Sequence, residues 1–180
     1  SRDDKCGVVW EVLNNSAFTC SDVGAHVVLA TVADSSSNNA SDVVTVTVVD
    51  TEDPVVSAVA SLEVFLNASG TVVIESDNAT DTTSDNCNSV VTLNQTVFTC
   101  SDLSDPTILL TATDPSGNTG TDTLVVTVTD ASLPTLTAAS LVLNVTADGT
   151  VSPAAASLLT AATDNCAVDS YWLSVPTATG

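Results

Sequence analysis

The side chains in this sequence with chemistry to offer are five cysteines, 22 acidic residues and a set of Asn-x-Ser/Thr sequons. The cysteines recur at one period. Three stand in Asp4-Lys5-Cys6, Asp85-Asn86-Cys87 and Asp164-Asn165-Cys166, and two in Phe18-Thr19-Cys20-Ser21-Asp22 and Phe98-Thr99-Cys100-Ser101-Asp102. Cys6 with Cys20, and Cys87 with Cys100, enclose short loops of similar length. The spacing therefore predicts one local disulfide inside each repeat, contributing about 3 kcal/mol through loop entropy. Buried reduced thiols are the alternative. A zinc site is the weaker reading, because each repeat supplies two cysteines and His26 is the only histidine. Cys166 is left unpaired or joined to another chain. Paired cysteines in such a chain point to an oxidising setting, outside the cell or at its surface.

The acids answer a different question. Two basic residues against 22 acids give a formal net charge of −20. Nothing in that balance displaces counterions from phosphates, so nucleic acid is excluded as a partner and anionic membrane surfaces are disfavoured. Divalent cations are the natural counter-charge. Asp50, Glu52 and Asp53 form an acidic knot at a repeat junction, read either as a calcium site or as a solvated loop. No other cofactor is called for. Asp81, Asp85, Asn86, Asp164 and Asn165 are a second, looser group of oxygen donors.

Sequons lie at Asn14, Asn39, Asn67, Asn78, Asn94 and Asn144. Asn14 and Asn94 each precede the second cysteine of a repeat by the same interval, and aligning Gly70 with Gly149 puts Asn67 two residues from the Asn144 equivalent, hence on the same strand face. Covalent glycans at these places would add bulk and guard sheet edges. For an enzyme the inventory is thin. His26 opens a strand, Arg2 and Lys5 sit at the start, and the carboxylates fall in turns rather than across a cleft. Trp10, Tyr171 and Trp172 are either sugar-stacking or core and interface residues.

The elements that must position these groups are strands. Val, Thr, Ser and Ala dominate, and straight-chain helix formers are scarce. Val44, Val46 and Val48 alternate with Thr45 and Thr47, and Leu124, Val126 and Val128 repeat the pattern. Val28, Ala30 and Val32 match Ile108, Leu110 and Ala112 as an inward face. Asp114-Pro115-Ser116-Gly117-Asn118 is a hairpin turn; its counterpart Asp34–Asn38 lacks the glycine. Strands are expected near 61–67, 71–75, 140–147 and 149–153, turning at Gly70 and Gly149. About seven strands per repeat make an all-β chain of tandem immunoglobulin-like, Greek-key β-sandwich modules of about 80 residues. Residues 1–50 are the later part of one module, 51–130 a complete one, and 131–180 the early part of a third. No apolar run is long enough for a membrane-spanning helix, so direct membrane insertion is not expected.

The order of Asp85-Asn86-Cys87, Phe98-Thr99-Cys100, Thr111-Ala112-Thr113-Asp114-Pro115-Ser116-Gly117-Asn118-Thr119 and a Val-x-Val-x-Asp end resembles the hyalin repeat (HYR) family and its immunoglobulin-like relatives. The resemblance implies a sandwich used in tandem for extracellular adhesion, with no catalytic residues. The function expected is that of a structural subunit or segment of a glycosylated extracellular filament or surface appendage. The competing reading is an adhesin that binds a carbohydrate or receptor. The partial terminal modules also predict head-to-tail self-association into a fibre, with residues 131–180 packing against residues 1–50 of the next unit.

Overall fold

A computed structural model describes residues 8–13, 15, 17–138, 140–151, 159–170 and 172. The chain divides into two compact units, each made of three segments. The first holds residues 1–57, 80–92 and 110–122; the second holds 58–79, 93–109 and 123–180. This is a division by contact, distinct from the division by repeat phase.

In the first unit, β1 (Val8–Leu13), β2 (Gly24–Asp34) and β3 (Asn39–Val48) form an antiparallel sheet in that order. Strands β2 and β3 pair from Gly24 opposite Val48 to Ala33 opposite Asn39. The turn between them is closed by Asp34, whose N–H donates to the Asn38 carbonyl at 2.9 Å. Ser37 takes φ 67° there, the left-handed conformation that Gly117 adopts at φ 92° in the second copy. A glycine is thus not required for this turn. β4 (Val55–Ala58) follows the buried Pro54 and pairs with β7 (Thr80–Ser84). Val28, Val56, Leu110 and Ala112 are the apolar core of this unit.

In the second unit, β5 (Leu62–Phe65) runs parallel to the end of β11 (Thr119–Thr129), and β6 (Thr71–Val73) pairs antiparallel with β9 (Val97–Thr99). One helical turn, α1 (Ser76–Ala79), was not anticipated; it is held where the Glu75 N–H donates to Asn78 Oδ1 at 2.9 Å. β12 (Thr135–Ala138) and β13 (Leu159–Thr163) form a separate hairpin-like pair. The core here is Val64, Leu66, Ile74, Phe98, Ile108, Leu124, Val126 and Val128. Strands β8 (Val90–Leu93), β10 (Thr107–Thr113) and β11 contribute residues to both units, and the four-stranded sheet order is β5-β11-β10-β8.

The chain is all-β, as the alternation predicts. In the central copy the alternation is realised in full: Ile108, Leu110, Ala112, Leu124, Val126 and Val128 are all buried. In the first copy it is realised in part. Val28 is buried, but Val44, opposite it in the ladder, is 48% exposed and Val32 is also exposed. The strands expected at 140–147 and 149–153 do not form among the described residues 140–151, which are exposed. The turn itself survives, with the Gly149 N–H donating to the Thr146 carbonyl as Gly70 donates to Asn67.

Candidate functional site

Each cysteine is presented by a turn that its neighbours encode. In Phe-Thr-Cys-Ser-Asp the Asp carboxylate reaches back over one 3-10 turn. The Thr19 N–H donates to Asp22 Oδ2 at 2.8 Å, and the Thr99 N–H to Asp102 Oδ2 at 2.7 Å. These backbone bonds hold both carboxyls below the usual Asp range, helped by the Thr19 hydroxyl in one case and the Gln95 amide in the other. In Asp-x-Cys the aspartate accepts from the cysteine's own N–H: Cys87 to Asp85 Oδ2 at 2.8 Å, Cys166 to Asp164 Oδ1 at 3.1 Å.

The disulfides are Cys20–Cys87 and Cys100–Cys166, with Cα separations of 5.2 and 5.3 Å. This corrects the expected Cys87–Cys100 pairing, and Cys20 is likewise not bonded to Cys6. It also corrects Cys166, which is paired within the chain. Cys6 lies outside the described residues. Each bond joins the second cysteine of one repeat to the first cysteine of the next. The cause is where the Asp-Asn-Cys turn docks. Asn86 donates from Nδ2 to Asp50 Oδ1 in the repeat junction at 3.1 Å, and its carbonyl lies 3.2 Å from Cys20 Sγ. Asn165 docks likewise, donating to the Asn67 carbonyl at 3.2 Å, with its own carbonyl 3.5 Å from Cys100 Sγ. Loops of 67 and 66 residues are closed, so the entropy model gives about 4 kcal/mol each, more than the short loops would.

Beside the first disulfide, Asp50, Asp85 and Asp114 bring three carboxylate oxygens within 4.8 Å of one another. Asp50 comes from the junction, Asp85 from the turn before Cys87, and Asp114 from the end of β10. Asp114 is 6% exposed. Asn118 clamps it, donating from its N–H to Oδ1 and from Nδ2 to Oδ2, both at 2.7 Å, and the same Nδ2 also reaches the Asp50 carbonyl at 3.2 Å. Burial pushes the Asp114 carboxyl up. The bonds from Asn118, Gly117 and Ser116 more than offset this and leave it below the ordinary value. The expected knot is only partly present. Asp50 joins the cluster, whereas the side chains of Glu52 and Asp53 are exposed, and Glu52 contributes its N–H to Asp50 Oδ1. Asp85 and Asp114 belong to the looser donor set and to the hairpin turn; their convergence on Asp50 follows from the junction's fold, which the spacing does not encode.

The sequon asparagines Asn39, Asn67, Asn78, Asn94 and Asn144 are all exposed, and Asn14 lies outside the described residues. Asn94 Oδ1 accepts from the Leu109 N–H at 2.7 Å, and Asn67 Oδ1 from the Ser69 N–H at 2.8 Å. His26 is half-buried, with its ring 5.7 Å from that of Phe18. Trp172 is exposed; Tyr171 and the Trp10 side chain are outside what is described.

No protein-family model matches the chain, and no curated protein matches it. Among the described residues, no helix is long and apolar enough to cross a membrane.

Proposed function

We propose that this chain is a segment of an extracellular structural array of HYR-like, immunoglobulin-like repeats, glycosylated and built into a filament or surface appendage. The observation that carries the reading is the disulfide connectivity. Both bonds join successive sequence repeats at nearly the same separation, and each lies inside one compact unit, so the cysteines staple repeat to repeat along the chain. Disulfides of this kind fit an oxidising compartment outside the cytosol. The sheet order β8-β10-β11 is that of the C, F and G strands of an immunoglobulin sandwich, which favours that fold for residues 51–130. The exposed valines of β2 and β3, among them Val43 at 64% and Val44 at 48%, favour head-to-tail packing of residues 131–180 on residues 1–50 of a following unit. Exposure of five sequons is compatible with a glycan coat.

The test is secretion of the chain from a glycosylating eukaryotic host, followed by electron microscopy, light scattering and glycopeptide mapping. Filaments or concentration-dependent linear oligomers with occupied sequons are expected. A monodisperse monomer that binds sugars on a glycan array would replace this reading with the adhesin.

A further inference from the structure

We propose that Asp50, Asp85 and Asp114 bind a calcium ion at the junction between repeats. Three carboxylates within 4.8 Å repel one another, and the described residues contain no Lys or Arg to neutralise them, the two basic residues being Arg2 and Lys5. Each carboxylate spends part of its capacity on protein donors. Asp50 Oδ1 accepts from Glu52 and Asn86, and Asp85 Oδ2 accepts from Cys87. What is left over is specific: Asp50 Oδ2 and Asp85 Oδ1 are buried and have no hydrogen-bond partner. A buried carboxylate oxygen with nothing to bond costs free energy that a ligand would recover.

Among the described residues, the buried side-chain atoms without a partner are these two and two more, Asp164 Oδ2 and Asn165 Oδ1. The latter two belong to the next repeat's Asp-Asn-Cys turn. Asp85 and Asp164 hold the same place in successive Asp-Asn-Cys turns, so an orphaned carboxylate oxygen recurs at that position, and at Asp85 it stands with Asp50 and Asp114. The Asp164 carboxylate repeats the arrangement, with one oxygen on the Cys166 N–H and the other free.

The donors are all oxygen and hard, with both nearby sulfurs tied up in a disulfide. Calcium sits about 2.3–2.6 Å from its ligands, so oxygens around one ion stand up to about 4.6–5.2 Å apart, and three carboxylate oxygens that all lie within 4.8 Å of one another can share one ion. Water completes the shell. Magnesium demands a tighter, near-octahedral set and keeps its own waters. Asp114 is positioned by Asn118 and Asp85 by the turn that also presents Cys87, so the ion would tie the junction residue to both.

The test uses the oxidised full chain, with calcium chloride and magnesium chloride as probes. Calorimetry and thermal unfolding are measured up to about 10 mM, above the dissociation constants typical of extracellular calcium modules. Saturable calcium binding with a rise in Tm, and weaker response to magnesium, is expected. Asp85→Asn and Asp50→Asn, which keep the hydrogen-bond acceptors, should each weaken calcium affinity at least tenfold, on the order of 10–100-fold. Glu52→Gln and Asp53→Asn should not. Non-reducing peptide maps showing Cys20–Cys87 confirm that each variant is folded. The proposal is overturned if wild type shows no calcium-dependent heat or Tm change, or if folded Asp85→Asn keeps wild-type affinity.

Discussion

A Cβ placed on Gly70 would stand 2.6 Å from the Asn165 carbonyl oxygen and 2.8 Å from Cys100 Sγ. The glycine also holds φ 69°, so it answers two demands at once, a left-handed turn and a close approach of backbone to the second disulfide. Gly70→Val should destabilise the chain by ~2 kcal/mol or more in urea unfolding, and lower the yield of Cys100–Cys166. Gly117→Ser should cost ~1 kcal/mol or less, because nothing lies within 4 Å of its Cβ position and Ser37 already adopts that conformation. Equal losses in the two variants would contradict the close-approach account.

Removing one staple leaves a thiol in a predictable place. Cys20→Ser should free Cys87, and no other described cysteine, for alkylation after unfolding. Its unfolding free energy should fall by about 4 kcal/mol. Peptide mapping of the wild type that recovered Cys6 bonded to Cys20 would refute the connectivity.

Acid should weaken the capped turns. Asp22 and Asp102 carry carboxyls lowered by the backbone N–H groups of Thr19 and Thr99, and Asp34 one lowered by Asn38. A depressed folded value means these groups favour the native state fully above their unfolded value, about 3.9. That contribution disappears as pH falls from there through the folded values. Stability measured between about pH 5 and 2 should therefore decline, and Asp102→Asn should flatten the slope. A steeper slope in the variant would reverse the sign argued here.

Phe98 is completely buried, whereas its counterpart Phe18 is half-buried beside His26. Phe98→Ala should cost about 3–5 kcal/mol and Phe18→Ala clearly less. Denaturant melts giving the same loss for both would show that the first copy is packed as tightly as the second.

Period-two alternation at Ile108–Ala112 and Leu124–Val128 was legible because one buried face forces every second residue to be apolar. The Asp and Thr residues around each cysteine were legible as turns, since their bonds span two or three residues. The disulfide partners were not. In a repeat, a cysteine pair spaced within one copy and a pair spaced between copies recur at the same period, so spacing cannot separate them. Docking of Asn86 on Asp50 decides it, and that contact crosses 36 residues. The acidic cluster was hidden for the same reason. Asp50 was visible as junction chemistry, but Asp114 reads as an ordinary hairpin residue until the fold carries it there.

The serial disulfides also set how far this chain can be stretched. Pulled without them, the span from Cys20 to Cys166 would pay out to roughly 500 Å of extended polypeptide. With them, tension entering at Cys20 crosses to Cys87, follows the backbone only to Cys100, and crosses again to Cys166. The free length on that path is roughly 45 Å. The segments 20–87 and 100–166 lie off the line of force, so they can unfold without lengthening the chain, and a tether built this way behaves as a nearly inextensible cord.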